Sequence, residues 1–153
     1  MANQPQVTWT HIVVHHTATP TTTTVASIRE YHLKQGFSDI GYHVLINWRG
    51  EVIPGRPLTK MGAHAKGRAP GTSPNAPSLN HYAIGISCIN DLDKGPIPPV
   101  QYAALVKMVR DLMVWFEIPV SNILLHRQVI TYPTSCPGKL FPEAQFRADI
   151  ARR

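Results

Sequence analysis

A histidine and a cysteine near the C-terminal end of the chain have the residue types of a metal site. His126 ends the short apolar run 123–125, and Cys136 lies ten residues later in a turn made rigid by the Pro-Gly pair that follows it. Zinc prefers imidazole nitrogen and cysteine sulfur, and a catalytic zinc keeps three protein ligands and one open position. These two residues therefore predict two of the three ligands of a zinc site. The alternative for Cys136 is a small buried apolar residue, which is a common fate of a free cysteine.

The third ligand is expected at the other end of the chain, where the run His-Ile-Val-Val-His-His occupies residues 11–16. His15 and His16 stand where this predicted strand leaves the core, and neighbouring side chains on a strand point to opposite faces. Only one of them can reach a given metal, and the pattern alone leaves both open. The spacing matches no compact zinc finger, so the site must be assembled from segments that are distant in sequence. For Cys88, inside an apolar run, the prediction is a small buried residue.

The elements that must position these residues alternate between strands and helices. Apolar runs rich in β-branched residues predict strands, and apolar residues recurring at three- and four-residue steps predict helices. Residues 1–9 are predicted to be an irregular lead-in and residues 67–80, which contain three prolines and two glycines, a long surface loop. The alternation favours one α/β domain. The predicted strands are 11–15, 41–48, 51–53, 82–89 and 123–125, and the predicted helices are 25–35, 100–117 and 141–153.

Composition narrows the class of partner. The 153 residues suit one ordinary domain, and the net charge of +6 favours a polyanionic partner, either nucleic acid or an anionic cell-wall polymer. The basic residues are scattered and form no cluster with interleaved aromatics, which argues against specific nucleic-acid binding. The N-terminus shows no secretory signal, and no apolar run is long enough to span a membrane.

A series of motifs resembles one known family. In order they are VVHHTAT, GYHVLINWRGEV, GAHAKG, NHYAIGIS, the predicted helix that contains Gln101, LLHRQ and TSCPG. Together they resemble the type 2 N-acetylmuramoyl-L-alanine amidases, a group that includes phage lysozymes of the amidase kind and the peptidoglycan recognition proteins. The resemblance covers residues 11–146, and motifs that are individually weak become specific when they occur in this order. It implies the fold of that family, a central mixed twisted β-sheet flanked by helices, in a single catalytic domain over residues 1–153.

The resemblance also implies a ligand set. The first histidine of the pair, His15, would bind one Zn²⁺ together with His126 and Cys136. His16 would then either support the site from behind or face solvent. In cytoplasmic recycling amidases of the wider family an aspartate replaces the cysteine, so Cys136 places this chain nearer the phage and recognition-protein branch.

Four further residues are assigned by the same resemblance. Tyr42 would be the catalytic tyrosine beside the metal. Thr134, at the position where family members carry a lysine or a threonine, would assist catalysis by a hydrogen bond. His64 and Asn80 would bind substrate in the groove. From the residues alone, the favoured interpretation of Tyr42 is an ordinary strand aromatic, and Thr134 could simply be a turn residue.

The function implied is zinc-dependent hydrolysis of the amide between N-acetylmuramic acid and L-alanine in peptidoglycan. The expected protein is a monomeric endolysin that is made in the host cytoplasm and acts on the cell wall, with no separate wall-binding domain. The alternative is a peptidoglycan-binding or regulatory protein of the same fold without catalysis. A nucleic-acid-binding role is suggested by charge alone.

Overall fold

Among the residues that the structure describes, the sheet is mixed and has five strands. The computed structural model describes residues 7–152, so residues 1–6 of the predicted lead-in and Arg153 of the predicted last helix lie outside the described residues. The strand order is β3-β2-β4-β1-β5. The strands are β1 (His11–His16), β2 (Val44–Ile46), β3 (Val52–Pro54), β4 (Ala83–Cys88) and β5 (Ile123–Leu125).

The central strands run in one direction. β1 lies between β4 and β5 and pairs with both in parallel, β2 pairs with β4 in parallel, and only β3 is antiparallel to its neighbour. All six residues of β4 are buried, as expected for a parallel strand that is covered on both faces. The carboxyl ends of β1, β4 and β5 therefore meet at the same edge of the sheet. This edge carries the residues discussed below.

Within the described part of the chain, three α-helices cover the sheet: α1 (Val25–Lys34), α2 (Pro99–Trp115) and α3 (Glu143–Ile150). The predicted apolar face of α2 is buried through Leu105, Val109 and Leu112, which pack with α3 against one face of the sheet. On the other face, Val13 and Leu124 pack against the connection between β3 and β4. The sequence-based expectation of an α/β fold with a central mixed sheet flanked by helices is confirmed.

Two predicted elements are much shorter in the structure. The strand predicted over 41–48 is confined to Val44–Ile46, because at Gly41 the chain passes so close to Ala63 that an added Cβ would lie 2.2 Å from the Ala63 carbonyl oxygen. At its other end, the side chain of Asn47 accepts hydrogen bonds from the backbone of Arg49 and Glu51 and starts the turn early. The helix predicted over 141–153 begins only at Glu143, and Ile150 is its last residue.

Candidate metal centre

Three side chains converge at the carboxyl edge of the sheet. His15 is the fifth residue of β1, and His126 follows β5 directly. Val14 is paired with Leu125 in the register of these strands, which brings the two imidazole rings side by side with centroids 4.5 Å apart. One ligand atom from each of His15, His126 and Cys136 lies within 4.8 Å of the other two. The structure thus brings together the residues that the sequence predicts to be the metal ligands.

The loop that carries Cys136 is fixed by its backbone. The Cys136 carbonyl accepts a hydrogen bond from the Arg127 N–H at 2.8 Å, and the Cys136 N–H donates to the Thr134 hydroxyl at 3.1 Å. The Cys136 sulfur accepts the His16 N–H at 3.3 Å. Thr134, predicted to assist catalysis, is half-buried and holds the backbone of the cysteine. Hydrogen bonds to its backbone and to its sulfur therefore fix the position of Cys136.

Asp93 attaches the same loop to the connection after β4. Its carboxylate accepts the Ser135 hydroxyl at 2.9 Å and the Lys139 N–H at 2.8 Å. These hydrogen bonds lower the pKa of Asp93, so the carboxylate is ionised at neutral pH. Nothing in the sequence pattern pointed to this contact, since Asp93 and Ser135 are 42 residues apart.

The donor set fits a zinc ion. Among residues 7–152, nothing donates to or accepts from the buried Nδ1 atom of His126, although such atoms are normally satisfied. Burial lowers the pKa of His126 to about 4 and that of His15 well below its usual value, so both rings are neutral and have a lone pair to offer. Burial also raises the pKa of Cys136 to about 12, and a bound cation would favour its thiolate instead. Two imidazoles and one thiolate are ligands that zinc prefers.

Of the two neighbouring histidines, only His15 faces this site. His16 points to the opposite face of β1, where its Nδ1 accepts the Leu92 N–H at 3.0 Å. The two side chains are 1% and 5% exposed, so neither faces solvent. The sequence left the choice between them to the family resemblance, and the orientation agrees with that choice. The prediction that Cys88 is a buried apolar residue is confirmed, since it packs in the main core cluster.

Tyr42 lies against the same centre. Its ring centroid is 5.1 Å from that of His15. Burial raises the pKa of the Tyr42 hydroxyl, and the nearby Cys136 adds to this effect because two negative charges would repel each other. The hydroxyl therefore stays protonated at neutral pH and can donate a hydrogen bond.

The two residues predicted to bind substrate are also close to the centre. The His64 Nδ1 lies 2.9 Å from the His15 Nε2, and the His64 Nε2 lies 2.9 Å from the Ala83 carbonyl oxygen. The Asn80 side-chain oxygen accepts the N–H groups of His64 and Ala65, both at 2.7 Å. The contact between His15 and His64 was missed by the sequence analysis, in which the histidine of GAHAKG was assigned only to the groove.

Two cavities lie beside the candidate metal centre. The larger, of about 380 Å³, runs from Tyr42 along α1 and is lined by hydroxyl groups and aromatic rings. The smaller, of about 140 Å³, is lined by His126, His64, Asn80, Lys66 and Tyr132. The smaller cavity thus reaches one candidate ligand, and the larger reaches the tyrosine beside His15.

None of the helices within residues 7–152 has the length and apolar character needed to cross a membrane.

Comparisons with known proteins find similar sequences and similar structures. Residues 4–139 match the family model described as N-acetylmuramoyl-L-alanine amidase. The endolysin of Enterobacteria phage T3 is 31% identical over 138 residues, which cover 88% of this chain and 84% of that protein. Peptidoglycan-recognition protein SC1a of Drosophila melanogaster is 32% identical over 137 residues, covering 84% and 67%. Among solved structures, N-acetylmuramoyl-L-alanine amidase LysC from Clostridium intestinale superposes with a TM-score of 0.79 at 29% identity, covering 99% of this chain and 96% of that one.

Proposed function

The chain belongs to the N-acetylmuramoyl-L-alanine amidase family, and from this premise we propose that it is a zinc-dependent peptidoglycan hydrolase. Its substrate is the amide between N-acetylmuramic acid and L-alanine, and its ligands for one Zn²⁺ are His15, His126 and Cys136. It acts as an endolysin, made in the host cytoplasm and delivered to the cell wall. The phage relatives, which are named endolysins, support this proposal.

One observation carries the proposal. Three ligand atoms of the types that zinc prefers converge within 4.8 Å of one another, beside a tyrosine whose hydroxyl stays protonated. A structural zinc site uses four protein ligands, whereas a catalytic one uses three and leaves a position for water or substrate. The smaller cavity reaches His126 and the larger one reaches Tyr42, so open space adjoins the candidate ligands.

The chain's own residues supply binding, orientation and a hydrogen-bond donor. When bound, zinc would act as a Lewis acid toward the amide carbonyl and make a water molecule more acidic. Tyr42 donates its O–H to the carbonyl oxygen as that oxygen gains negative charge, and burial of the tyrosine strengthens this interaction. Thr134 holds the backbone of Cys136 and so keeps the thiolate in place. Asn80 fixes the loop that carries His64, which forms part of the floor of the smaller cavity.

A binding protein without catalysis is the competing function, since recognition proteins are among the relatives. The residues that would perform the chemistry argue against it. Cys136 is present and lies with the two histidines, and Tyr42 lies beside them. We therefore favour hydrolysis over recognition alone.

The test is digestion of purified peptidoglycan, with newly released L-alanine amino termini and bound zinc both measured. We expect the wild-type protein to contain one zinc per chain and Cys136→Ala to lose both the metal and the cleavage. The matched control is Cys88→Ala, which removes the other buried thiol and should keep both. Cleavage of the muramyl amide by Cys136→Ala at the wild-type rate would contradict the proposal, and wall binding without any release of amino termini would support the recognition function instead.

A further inference from the structure

The imidazole of His64 forms a hydrogen-bonded link between the backbone and a candidate metal ligand. Its Nε2 is 2.9 Å from the Ala83 carbonyl oxygen, and its Nδ1 is 2.9 Å from the His15 Nε2. We propose that His64 is a positioning residue that fixes the tautomer of His15, so that the lone pair on the His15 Nδ1 points at the metal. This inference rests on the zinc site proposed above.

The direction of each hydrogen bond follows from the groups involved. A carbonyl oxygen can only accept, so the His64 Nε2 carries a hydrogen and donates it to Ala83. A neutral imidazole protonated at Nε2 has its lone pair on Nδ1, so the His64 Nδ1 accepts from His15. The His15 proton is then on Nε2, and its Nδ1 has the lone pair. That Nδ1 is the atom 3.8 Å from the Cys136 sulfur, which places it on the side of the other ligands.

Two glycines make room for the His64 ring. A Cβ added to Gly85 would lie 2.6 Å from two ring carbons, and one added to Gly62 would lie 2.5 Å from the ring. Real Cβ contacts are never this short, so any other residue at these positions would displace the imidazole. The backbone of His64 is fixed as well, because its N–H donates to Asn80. The ring is therefore packed closely against two glycines and fixed through its own main chain, as a group that orients a ligand should be.

His43 provides a matched control within the same structure. It is also buried, and its ring centroid lies 5.8 Å from that of His64. A Cβ added to Gly62 would also come too close to the His43 ring. Its Nδ1 accepts the Gly85 N–H, and its Nε2 contacts the Lys60 carbonyl, so both nitrogens bond to backbone groups and neither to His15. Loss of His43 should thus cost stability without altering the tautomer of His15.

The first experiment measures the zinc dissociation constant by competition with a chromophoric chelator, with no substrate present. We expect His64→Leu to bind zinc about 10- to 100-fold more weakly, the usual effect of losing such a supporting partner. His64→Asn, whose side-chain oxygen can replace the Nδ1 acceptor, should recover most of the affinity, and His43→Leu should leave it close to the wild-type value. Zinc binding by His64→Leu as tight as that of the wild type would overturn the inference.

The second experiment does not depend on any variant folding. Long-range ¹H–¹⁵N spectra of the zinc-loaded wild-type protein report which ring nitrogen of each histidine carries the proton. We expect the Nε2–H form for both His15 and His64, and the Nδ1–H form of His15 would overturn the inference. Neither measurement involves the peptidoglycan substrate. If the protein gave the expected results here but cleaved no cell wall, the proposed hydrolysis would be contradicted and this inference would stand.

Discussion

Tyr42 lies in a buried site beside Cys136, where ionisation of its hydroxyl is strongly disfavoured. Burial is the main reason that its pKa is raised, and the proximity of Cys136 is the next. A phenol in this environment keeps its proton at neutral pH, so it can donate a hydrogen bond to an oxygen that is becoming an anion. The residue is therefore better suited to stabilise a tetrahedral intermediate than to remove a proton.

Replacing Tyr42 by Phe should consequently slow the chemistry and spare the metal. We expect kcat for release of L-alanine amino termini to fall by about 10²- to 10³-fold, the range seen when one donor to a developing oxyanion is removed. Zinc content should be unchanged, because Tyr42 supplies no ligand. Tyr31→Phe is the matched control, since Tyr31 lines the same cavity but is 61% exposed. A Tyr42→Phe protein with wild-type kcat would show that the hydroxyl takes no part in the reaction.

Individual residues were predictable to the extent that the strand pattern constrains them. A histidine at a strand end and a cysteine in a rigid turn pointed to His126 and Cys136, and alternation along β1 showed that only one of two neighbouring histidines could join them. The contact between His15 and His64 was not predictable in the same way. It joins residues 49 positions apart and depends on how the loop between β3 and β4 folds back over the sheet.

At the scale of elements, α1 forms one wall of the larger cavity, and its start is fixed by a single side chain. The hydroxyl of Thr24 accepts the Ser27 N–H at 3.1 Å, and the Ser27 hydroxyl donates to the Thr24 carbonyl at 2.9 Å. This satisfies one of the backbone N–H groups that the first turn of any helix leaves unpaired. The threonine-rich segment that precedes α1 thus contains one residue with a defined structural role.

Thr24→Ala should therefore lower the free energy of unfolding by about 1 kcal/mol, the usual cost of removing such a cap. Thr22→Ala, in the same run of threonines but outside the helix, should change it by less than about 0.5 kcal/mol, as most exposed substitutions do. Urea denaturation followed by circular dichroism measures both. Equal effects of the two substitutions would mean that the Thr24 hydroxyl does not stabilise α1.

The elements themselves were predicted unevenly, for physical reasons. The predicted bounds of α2 were correct to within two residues at each end, because a regular apolar periodicity over many turns is a strong signal. Short strands such as β2 depend on contacts with distant segments, and a neighbour such as Ala63 cannot be read from the local pattern. The buried Gln101 gives a second example. Its side-chain N–H group donates to the carbonyls of Ile46 and Ile89 and so ties α2 to the ends of two strands.

For the molecule as a whole, strand order decides where the site lies. β1 is central, with β4 and β5 parallel on either side, so the residues that follow these strands meet at one edge. Open sheets of parallel strands commonly bind ligands at their carboxyl ends for this reason. The sequence indicated which residues end strands, but it contained no local signal for the order of the strands. Only the family resemblance placed His15 beside His126.

The overall charge of the molecule should affect how it reaches an anionic wall. With 15 Lys and Arg residues against 9 Asp and Glu residues, the net charge is +6, and scattered charges attract a polyanion over distances that salt screens. We expect digestion of intact anionic cell walls to slow by about tenfold as ionic strength rises from roughly 10 to 150 mM, because the Debye length falls from about 30 to 8 Å. Hydrolysis of a small uncharged muramyl amide, measured in the same buffers, should change little, since no long-range attraction brings it to the enzyme. If both substrates lost rate in parallel, salt would be acting on the catalytic centre, and the positive charge would have no role in reaching the wall.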